Sequence, residues 1–201
     1  SLLVWTTTPW TLTSNTAAAV HPDLAYVRVR QGDDILYLAK AALGVVQGAR
    51  EVLGEVPGKD LLGLTYRGPF DELPAQQGVV HQVIPWEEVS ETEGTGIVHI
   101  APGCGAEDFQ LGKEHHLPLV APLEEEGFFV DGFGWLTGMN VAQVSQPIFT
   151  DLERKGLLYR VEPYTHRYPV CWRCGTELVF RLVDEWFIKM GEVYDKPRQA
   201  L

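Results

Sequence analysis

The 201-residue sequence has no long apolar run. Stretches such as Ile97-Val98 and Val179-Phe180 are a few residues long, whereas a membrane-spanning helix needs roughly 20 consecutive apolar residues. No segment resembles a signal peptide. These absences predict a soluble, cytoplasmic chain with no membrane partner. The 45% content of hydrophobic residues is enough for one buried core.

Cysteine and positive charge are also scarce. Three cysteines cannot form the dense disulfide framework of a small secreted protein, so a reducing compartment is expected. The net charge of −11 argues against a broad nucleic-acid-binding surface, because binding to a phosphate backbone depends on clustered Lys and Arg. Any contact with a polyanion is expected at residues 154–181, where basic residues concentrate. The acidic block at residues 87–126 is equally well explained as a solvated surface.

The chain lacks an initiator methionine and runs from Ser1 straight into an apolar stretch, which predicts a piece of a longer protein. Short β-type runs separated by turn residues predict a mainly β fold, a closed β-barrel core with a few peripheral α-helices, over residues 1–163. The predicted strands are residues 2–8, 17–20, 26–30, 35–39, 79–83, 96–100 and 178–183. The predicted helices are residues 40–46, 107–115 and 142–155.

A second unit, a small zinc-knuckle-like segment, is predicted at residues 164–201. Cys171 and Cys174 stand two residues apart and Gly175 permits a tight turn after them. A closed structural zinc site takes four ligands, so this pair supplies half a site, and Cys104 is too isolated to be an obvious third ligand. A redox C-x-x-C and a pair of small core residues are the alternatives.

The first polar motif is the run Thr6-Thr7-Thr8-Pro9-Trp10-Thr11. Threonine is favoured in strands and Pro9 ends ladder pairing, so an ordinary strand end explains part of it. That explanation does not account for four hydroxyls and two tryptophans, Trp5 and Trp10, gathered where a strand breaks. Hydroxyls and backbone N–H groups at such a break can face a ligand.

The second motif spans residues 94–109. A strand ends near His99, a Gly- and Pro-rich loop follows, and a helix begins near Asp108. Taken singly, His99 could be a core imidazole and Asp108 a carboxylate that complements a helix dipole. Taken together, they bring an imidazole, an anion and backbone donors to one small volume. The pair of motifs therefore predicts a binding or catalytic site.

The pair TTTPWTL and GTGIVHIAPG, followed by an acidic pair and Phe109, resembles the two halves of the editing pocket of isoleucyl-tRNA synthetases. The related valyl and leucyl enzymes usually carry Arg in place of Thr8 and an acidic residue in place of Trp10. The sequence CWRCGTELVFR with DEWFIK resembles the segment that leads back from this insertion to the synthetase body. In that family another C-x-x-C before the insertion completes the metal site. Zinc is thus expected at Cys171 and Cys174 only with ligands outside this chain, and editing itself needs no cofactor.

The resemblance implies hydrolysis of valine mischarged on isoleucine tRNA, with valyl-adenylate as a second substrate. Asp108 would bind the substrate α-ammonium, whereas Thr8 and His99 would line a side-chain pocket too small for isoleucine. His99 is interpreted as a pocket wall rather than a general base. The implied catalytic residues are Asp108, Thr7, Thr8 and His99. The implied substrate-binding residues are Thr6, Thr7, Thr8, Thr11, Asn15, His99 and Asp108.

The expected partners are the 3′ end of isoleucine tRNA and the rest of the synthetase acting in cis, in a monomer. ATP-dependent aminoacylation is not expected here, because neither the HIGH-type nor the KMSKS-type signature is present. The alternatives are a non-catalytic zinc-knuckle module that binds nucleic acid or another partner, and a free-standing deacylase.

Overall fold

The computed structural model describes residues 1–165, 167–188, 190–191 and 193–194. In these ranges seven strands form two sheets, one of four strands in the order β5-β6-β1-β7 and one of three in the order β3-β2-β4. The strands are β1 (Ala17–Val20), β2 (Ala25–Gln31), β3 (Asp34–Ala39), β4 (Glu51–Pro57), β5 (Thr65–Tyr66), β6 (His81–Pro85) and β7 (Val98–Ile100). The α-helices are α1 (Ala106–Glu114) and α2 (Ser145–Arg154).

The central strand β1 is buried along its whole length. Ala18 and Val20 belong to the core between the two sheets, while Ala17 and Ala19 belong to a second core next to α1. This division follows from the alternation of side chains along a strand, which sends successive residues to opposite faces. Strand β1 pairs in parallel with β6 and antiparallel with β7. The pairing fixes the end of β7 next to the centre of the fold.

The N-terminal segment connects the two sheets. Leu2 forms an isolated bridge with Tyr37 of β3, and Trp5 forms one with Val98 of β7. The strand predicted at residues 2–8 is therefore reduced to single bridges, and Pro9, which cannot donate to a ladder, begins a 3-10 helix, Pro9–Ser14. As a result, the threonine-rich segment, residues 6–11, leaves the sheet beside β7.

The mainly β prediction is confirmed, but the predicted closed barrel is not found. Within the described residues no ladder joins the outer strands β4 and β5. Strand β5 has only two residues, and β4 runs into a 3-10 helix, Gly58–Leu61, so neither edge continues far enough to meet the other. Within the described residues, no continuous ladder of hydrogen bonds therefore encloses the core between the two sheets.

The other predicted elements divide into confirmed and corrected ones. Strands at residues 17–20, 26–30 and 35–39 and the helix at 107–115 are found close to their predicted bounds. The helix at 40–46 is a 3-10 helix, Lys40–Val45. The helix at 142–155 becomes α2 alone, since Pro147 is tolerated only in a first turn. Residues 178–183, which are all described, form no strand, and β4 and β5 were not predicted.

A third core lies under α2, where Ile148 and Leu152 are packed with Trp10 and Phe70. Trp10 thus anchors the threonine-rich segment from below. No helix in the described part of the chain is both long enough and apolar enough to cross a membrane.

Candidate active site

A pocket of about 280 Å³ opens where the threonine-rich segment, the end of β7 and the first turn of α1 meet. It brings together six of the seven residues predicted to bind substrate, leaving out Asn15. The lining residues are Trp5, Thr6, Thr7, Thr8, Trp10, Thr11, Val98, His99, Cys104, Asp108, Tyr168 and Phe180. The two sequence motifs are therefore two walls of one cavity.

The threonine-rich wall is held in shape by its own hydroxyls. Pro9 suits the first helical position, where its fixed φ is favourable and its missing N–H is not needed. Thr11 Oγ1 donates to the carbonyl oxygen of Thr8 at 2.8 Å, and the backbone N–H of Thr8 donates to Thr6 Oγ1 at 3.0 Å. The hydroxyl oxygens of Thr7 and Thr8 lie 3.4 Å apart. The segment thus presents a pair of adjacent hydroxyls on a locally braced backbone.

The bond between Thr11 and His99 fixes the state of the imidazole. Thr11 Oγ1 lies 2.9 Å from His99 Nε2. A hydroxyl has one proton, and that proton is donated to the Thr8 carbonyl, so Thr11 can only accept from the ring. Nε2 therefore carries the proton of a neutral imidazole. His99 Nδ1 is then an unprotonated acceptor, buried and with no hydrogen-bond partner among the described residues.

Burial keeps this imidazole neutral. Desolvation lowers the pKa of His99 from 6.5 to about 4, because removal from water disfavours the charged form. An imidazole with a pKa near 4 is a weak base and is poorly suited to accept a proton from water at neutral pH. The geometry is that of a rigid, uncharged pocket wall.

Asp108 is the anionic group of the pocket. Its Oδ1 accepts the backbone N–H of Ala101 at 2.7 Å, which ties the first turn of α1 to the end of β7. Burial is the largest influence on its pKa and raises it, while the bond from Ala101 acts in the opposite direction. A Cβ at Gly105 would lie 2.4 Å from Asp108 Oδ2. The glycine therefore makes room for the carboxylate.

The glycines of the second motif have packing roles. Gly96 has a φ of +69°, and a Cβ there would come within 2.3 Å of the Cβ of Ala39. Gly94 has a φ of +62°, and a Cβ there would come within 2.8 Å of the Trp5 ring. Both need the left-handed conformation that glycine adopts without strain. They let β7 approach β3 and let the Trp5 ring reach the pocket.

Asn15 lies outside the pocket lining. Its side chain is buried, with Nδ2 donating to the Ala17 carbonyl at 2.8 Å and Oδ1 accepting from the Tyr66 hydroxyl at 2.7 Å. Both ends of the amide are thus used within the fold. The geometry gives Asn15 a scaffolding part, joining the end of the threonine-rich segment to β1 and β5, in place of the substrate contact implied by the resemblance.

Cys104 also lines the pocket, although neither sequence motif assigns it a role. It is buried, and desolvation raises the pKa of its thiol to about 12. A thiol with so high a pKa has almost no nucleophilic thiolate at neutral pH. Cys104 therefore serves as an apolar wall residue.

Two further lining residues come from the predicted zinc-knuckle segment. Tyr168 and Phe180 face the same cavity as Thr8 and Asp108. Sequence reasoning missed them because their distance along the chain from both motifs gives no local signal. The predicted boundary at residues 163/164 therefore does not separate the C-terminal segment from the site.

Cys171 and Cys174 lie on a tight turn in which Cys171 N donates to Thr176 O at 2.8 Å and Gly175 has a φ of +72°. Hydrogen bonds, chiefly with Thr176, lower the pKa of Cys174 to about 7, which favours a metal-binding thiolate. Among the described residues no cluster of three or more His, Cys, Asp or Glu side chains could hold a metal. The turn suits two zinc ligands, and zinc binding at Cys171 and Cys174 stays a prediction that needs ligands from outside this chain.

The chain is similar to known isoleucine–tRNA ligases over nearly its whole length. It is 45% identical over 197 residues to that of Methanothermobacter marburgensis, which covers 97% of this chain and 19% of the relative. It is 44% identical over 202 residues to that of Methanothermobacter thermautotrophicus, covering 100% of this chain and 19% of the relative. The chain belongs to the isoleucyl-tRNA synthetase family. It spans about a fifth of the length of these relatives.

The fold of this synthetase-family chain is that of CP1 editing domains. The crystal structure of GlLeuRS-CP1 matches with a TM-score of 0.64 and 18% identity, over 81% of this chain and 84% of that one. The Plasmodium knowlesi cytosolic leucyl-tRNA synthetase editing domain matches with a TM-score of 0.56 and 12% identity, over 77% and 81%. The sequence matches no protein-family model.

Proposed function

We propose that this chain is an editing domain that hydrolyses the ester between valine and the 3′-terminal adenosine of isoleucine tRNA, with valyl-adenylate as a second substrate. The observation that carries the proposal is the convergence of the threonine-rich segment, His99 and Asp108 on one pocket of about 280 Å³. The fold shared with leucyl-tRNA synthetase editing domains supports it. In this proposal the domain acts in cis within a longer synthetase, and aminoacylation takes place elsewhere.

Asp108 binds the α-ammonium group of the aminoacyl ester. Its Oδ1 is occupied by the Ala101 N–H, which leaves Oδ2 for the ligand. A charge-assisted pair in this partly buried position is stronger than a neutral hydrogen bond. The ammonium group also compensates for part of the lost hydration that raises the pKa of the Asp108 carboxylate. The ammonium end of the substrate is thereby fixed at the start of α1.

Hydrolysis begins when a water oxygen adds to the ester carbonyl carbon and gives a tetrahedral oxyanion. The bond to the ribose oxygen then breaks, that oxygen takes a proton originating from the water, and free valine and tRNA result. The adjacent hydroxyls of Thr7 and Thr8 are the polar groups placed to hold the water or donate to the oxyanion. An aminoacyl ester is already activated, so positioning and oxyanion stabilisation suffice without a nucleophilic side chain.

His99 and Thr8 form the wall that discriminates by size. Attraction to one methylene gives only about 1–3 kcal/mol, and isoleucyl-tRNA synthetases are the standard example of this limit. A second, smaller site must therefore remove the smaller product. A neutral imidazole held by Thr11 supplies a rigid wall for such a site. Exclusion of isoleucine therefore depends on the wall keeping its position.

Deacylation of isoleucine tRNA charged with valine or with isoleucine tests the proposal. The chain should release valine and spare isoleucine; equal turnover of both, or of neither, would refute it. Asp108→Asn keeps an acceptor for the Ala101 N–H but removes the charge. We expect it to lower kcat/KM for the valyl ester roughly 10- to 150-fold, the loss of a charge-assisted bond of about 1.5–3 kcal/mol, with an unchanged melting temperature.

The wall is tested separately by Thr8→Ala and His99→Ala. Each should open space for the extra methylene and allow hydrolysis of the isoleucyl ester relative to the valyl ester. Valyl ester hydrolysis should continue in His99→Ala and slow in Thr8→Ala, which also loses a hydroxyl that faces the ester. Cys104→Ala is the matched control, because this residue also lines the pocket but is not assigned to the sieve. Continued rejection of isoleucine by both wall variants would remove Thr8 and His99 from the discriminating wall.

A further inference from the structure

The threonine-rich segment runs into a 3-10 helix, Pro9–Ser14, whose last carbonyl groups need hydrogen-bond donors. The backbone N–H of Thr16 would continue the 3-10 pattern by donating to the carbonyl of Thr13, three residues back. It donates instead to the carbonyl of Ile100 at 2.9 Å, at the end of β7. The carbonyl of Thr13 is therefore left for a donor from outside the helix.

Gln76 supplies that donor. It is buried in a second 3-10 helix, Pro74–Gln76, which lies between β5 and β6 in the sequence. Its Nε2 donates to the carbonyl of Thr13 at 2.7 Å and to the carbonyl of Asn15 at 3.1 Å. Because both acceptors are carbonyl oxygens, only the NH₂ end of the amide can face them. A side chain distant in the sequence thus holds the end of the helix that carries Thr11.

The other end of the Gln76 amide makes no comparable contact. Its Oε1 is buried and has no hydrogen-bond partner among the described residues. An unsatisfied buried oxygen costs stability. An apolar side chain of the same size would avoid that cost, but it would leave the two carbonyls without this donor. The amide at residue 76 is therefore explained by the position that it imposes on the helix end.

Tyr66 of β5 holds the same helix end through a second bond. Its hydroxyl donates to Asn15 Oδ1 at 2.7 Å. Burial raises the pKa of this hydroxyl, so it stays protonated and remains a donor at neutral pH. Neither Tyr66 nor Gln76 lines the pocket. Any effect of these two residues on substrate must therefore act through the threonine-rich segment.

We propose that Gln76, assisted by Tyr66, is a positioning residue that fixes the threonine-rich wall relative to His99. The inference rests on the proposed function and extends it to side chains that do not touch the substrate. The path is short, because Thr13 is two residues from Thr11, whose hydroxyl lies 2.9 Å from His99 Nε2. Loss of the Gln76 donor therefore displaces the wall that faces the ester.

Gln76→Met tests the inference, because methionine has a similar length and volume but no donor. We expect kcat for the valyl ester to fall roughly 10- to 100-fold, since a misplacement of about 1 Å can cost about 100-fold in rate. KM should stay unchanged, because Asp108, which binds the ammonium group, lies on α1 and is held by Ala101. In nitrogen-15 NMR the ring signals of His99 should shift, because the helix that carries its hydrogen-bond partner has moved.

Two matched controls separate positioning from stability. Gln77→Met makes the same substitution at the exposed neighbouring residue and should change neither kcat nor the His99 signals. Val29→Ala removes buried methyl groups from β2, which contributes no residue to the pocket lining. It should lower the melting temperature and leave kcat per folded molecule and the His99 signals unchanged. A Gln76→Met chain that lost only stability, as Val29→Ala does, would overturn the inference.

Tyr66→Phe decides the question if Gln76→Met does not fold. It removes the single bond to Asn15 and should give the same changes to a smaller extent, a lower kcat with an unchanged KM and shifted His99 signals. In whichever of the two variants folds, an unchanged kcat or unchanged His99 signals would overturn the inference.

The NMR measurement also distinguishes this inference from the proposed function. If the unmodified chain hydrolysed neither the valyl nor the isoleucyl ester, the proposed function would fail, and the His99 signals would still report the position of the wall. A shift in Gln76→Met that is absent from Gln77→Met and Val29→Ala would then support the positioning of the wall by Gln76. Signals that stay the same in all three variants would overturn it.

Discussion

The bond between Thr11 and His99 gives the most specific prediction about the pocket wall. Thr11→Val keeps the shape of the side chain and removes its hydroxyl. The change leaves the Nε2–H of His99 without its partner and removes one of the two hydrogen bonds to the carbonyl of Thr8, which keeps the backbone N–H of residue 11. We therefore expect both a loss of stability and a freer imidazole.

The size of the coupling follows from the kind of bond. A neutral hydrogen bond contributes about 0.5–1.5 kcal/mol net, so a double-mutant cycle of Thr11→Val with His99→Leu should give a coupling energy of about 1 kcal/mol. Thr13→Val is the matched control. Thr13 is buried in the same 3-10 helix and donates to the carbonyl three residues back, that of Trp10, at 2.8 Å, but it has no hydrogen bond with His99 within the described structure. Its coupling with His99→Leu should stay below about 0.5 kcal/mol.

Urea unfolding of the single and double variants measures both coupling energies. Nitrogen-15 NMR of the histidine side chains adds an independent measurement, because the hydrogen bonds of Thr11 assign the proton of a neutral His99 to Nε2 at pH 7. In Thr11→Val a mixture of tautomers is expected. A proton on Nδ1 in the unmodified chain, or a Thr11 coupling no larger than that of Thr13, would refute the assignment of the wall.

Three further predictions concern charge, space and thiols. As the pH is lowered from 6.5 to about 4, His99 is protonated in the unfolded state before it is protonated in the folded state. The free energy of unfolding should therefore decrease by at most about 3 kcal/mol, and urea unfolding should show a smaller decrease in His99→Leu. Gly105→Ala places a Cβ against the pocket carboxylate and should lower kcat/KM roughly 10- to 150-fold, whereas Gly44→Ala, which meets open space, should not. With a disulfide thiol reagent at pH 7.5, Cys174 should react quickly and Cys104 only on unfolding, as absorbance would show.

The two walls of the pocket could be predicted from sequence because each is local. Pro9 predicts the break at the end of the threonine-rich segment, and the Gly- and Pro-rich loop before Asp108 predicts the start of the next helix. Their meeting could not be derived from either pattern alone. It depends on the register in which Ala18 of β1 faces His99 of β7, and on the bridge from Trp5 to Val98. The resemblance to a known family is what predicts that the two motifs meet in one pocket.

The predicted barrel failed for a similar reason. Alternation of apolar and polar residues predicts the faces of a strand, but it does not name the strand's partner or show whether the last edge returns to the first. Strand β4 has little buried side-chain surface and was not predicted, yet its backbone pairs along β2 from Ala25 to Arg30. Backbone pairing of this kind leaves almost no trace in side-chain pattern. The number of strands was consequently easier to approximate than their closure.

Asn15 shows why residue-by-residue transfer from a family needs geometry. Its position in the motif implied a substrate contact, but both ends of its amide are bonded within the fold, to the Ala17 carbonyl and the Tyr66 hydroxyl. A change there would move the end of the threonine-rich segment relative to β1, and hence alter the pocket from outside it. Thr11 lines the pocket and also holds His99 in place. Polar residues of one motif therefore divide into those that face the substrate and those that hold the others in place, and hydrogen-bond partners decide between the two.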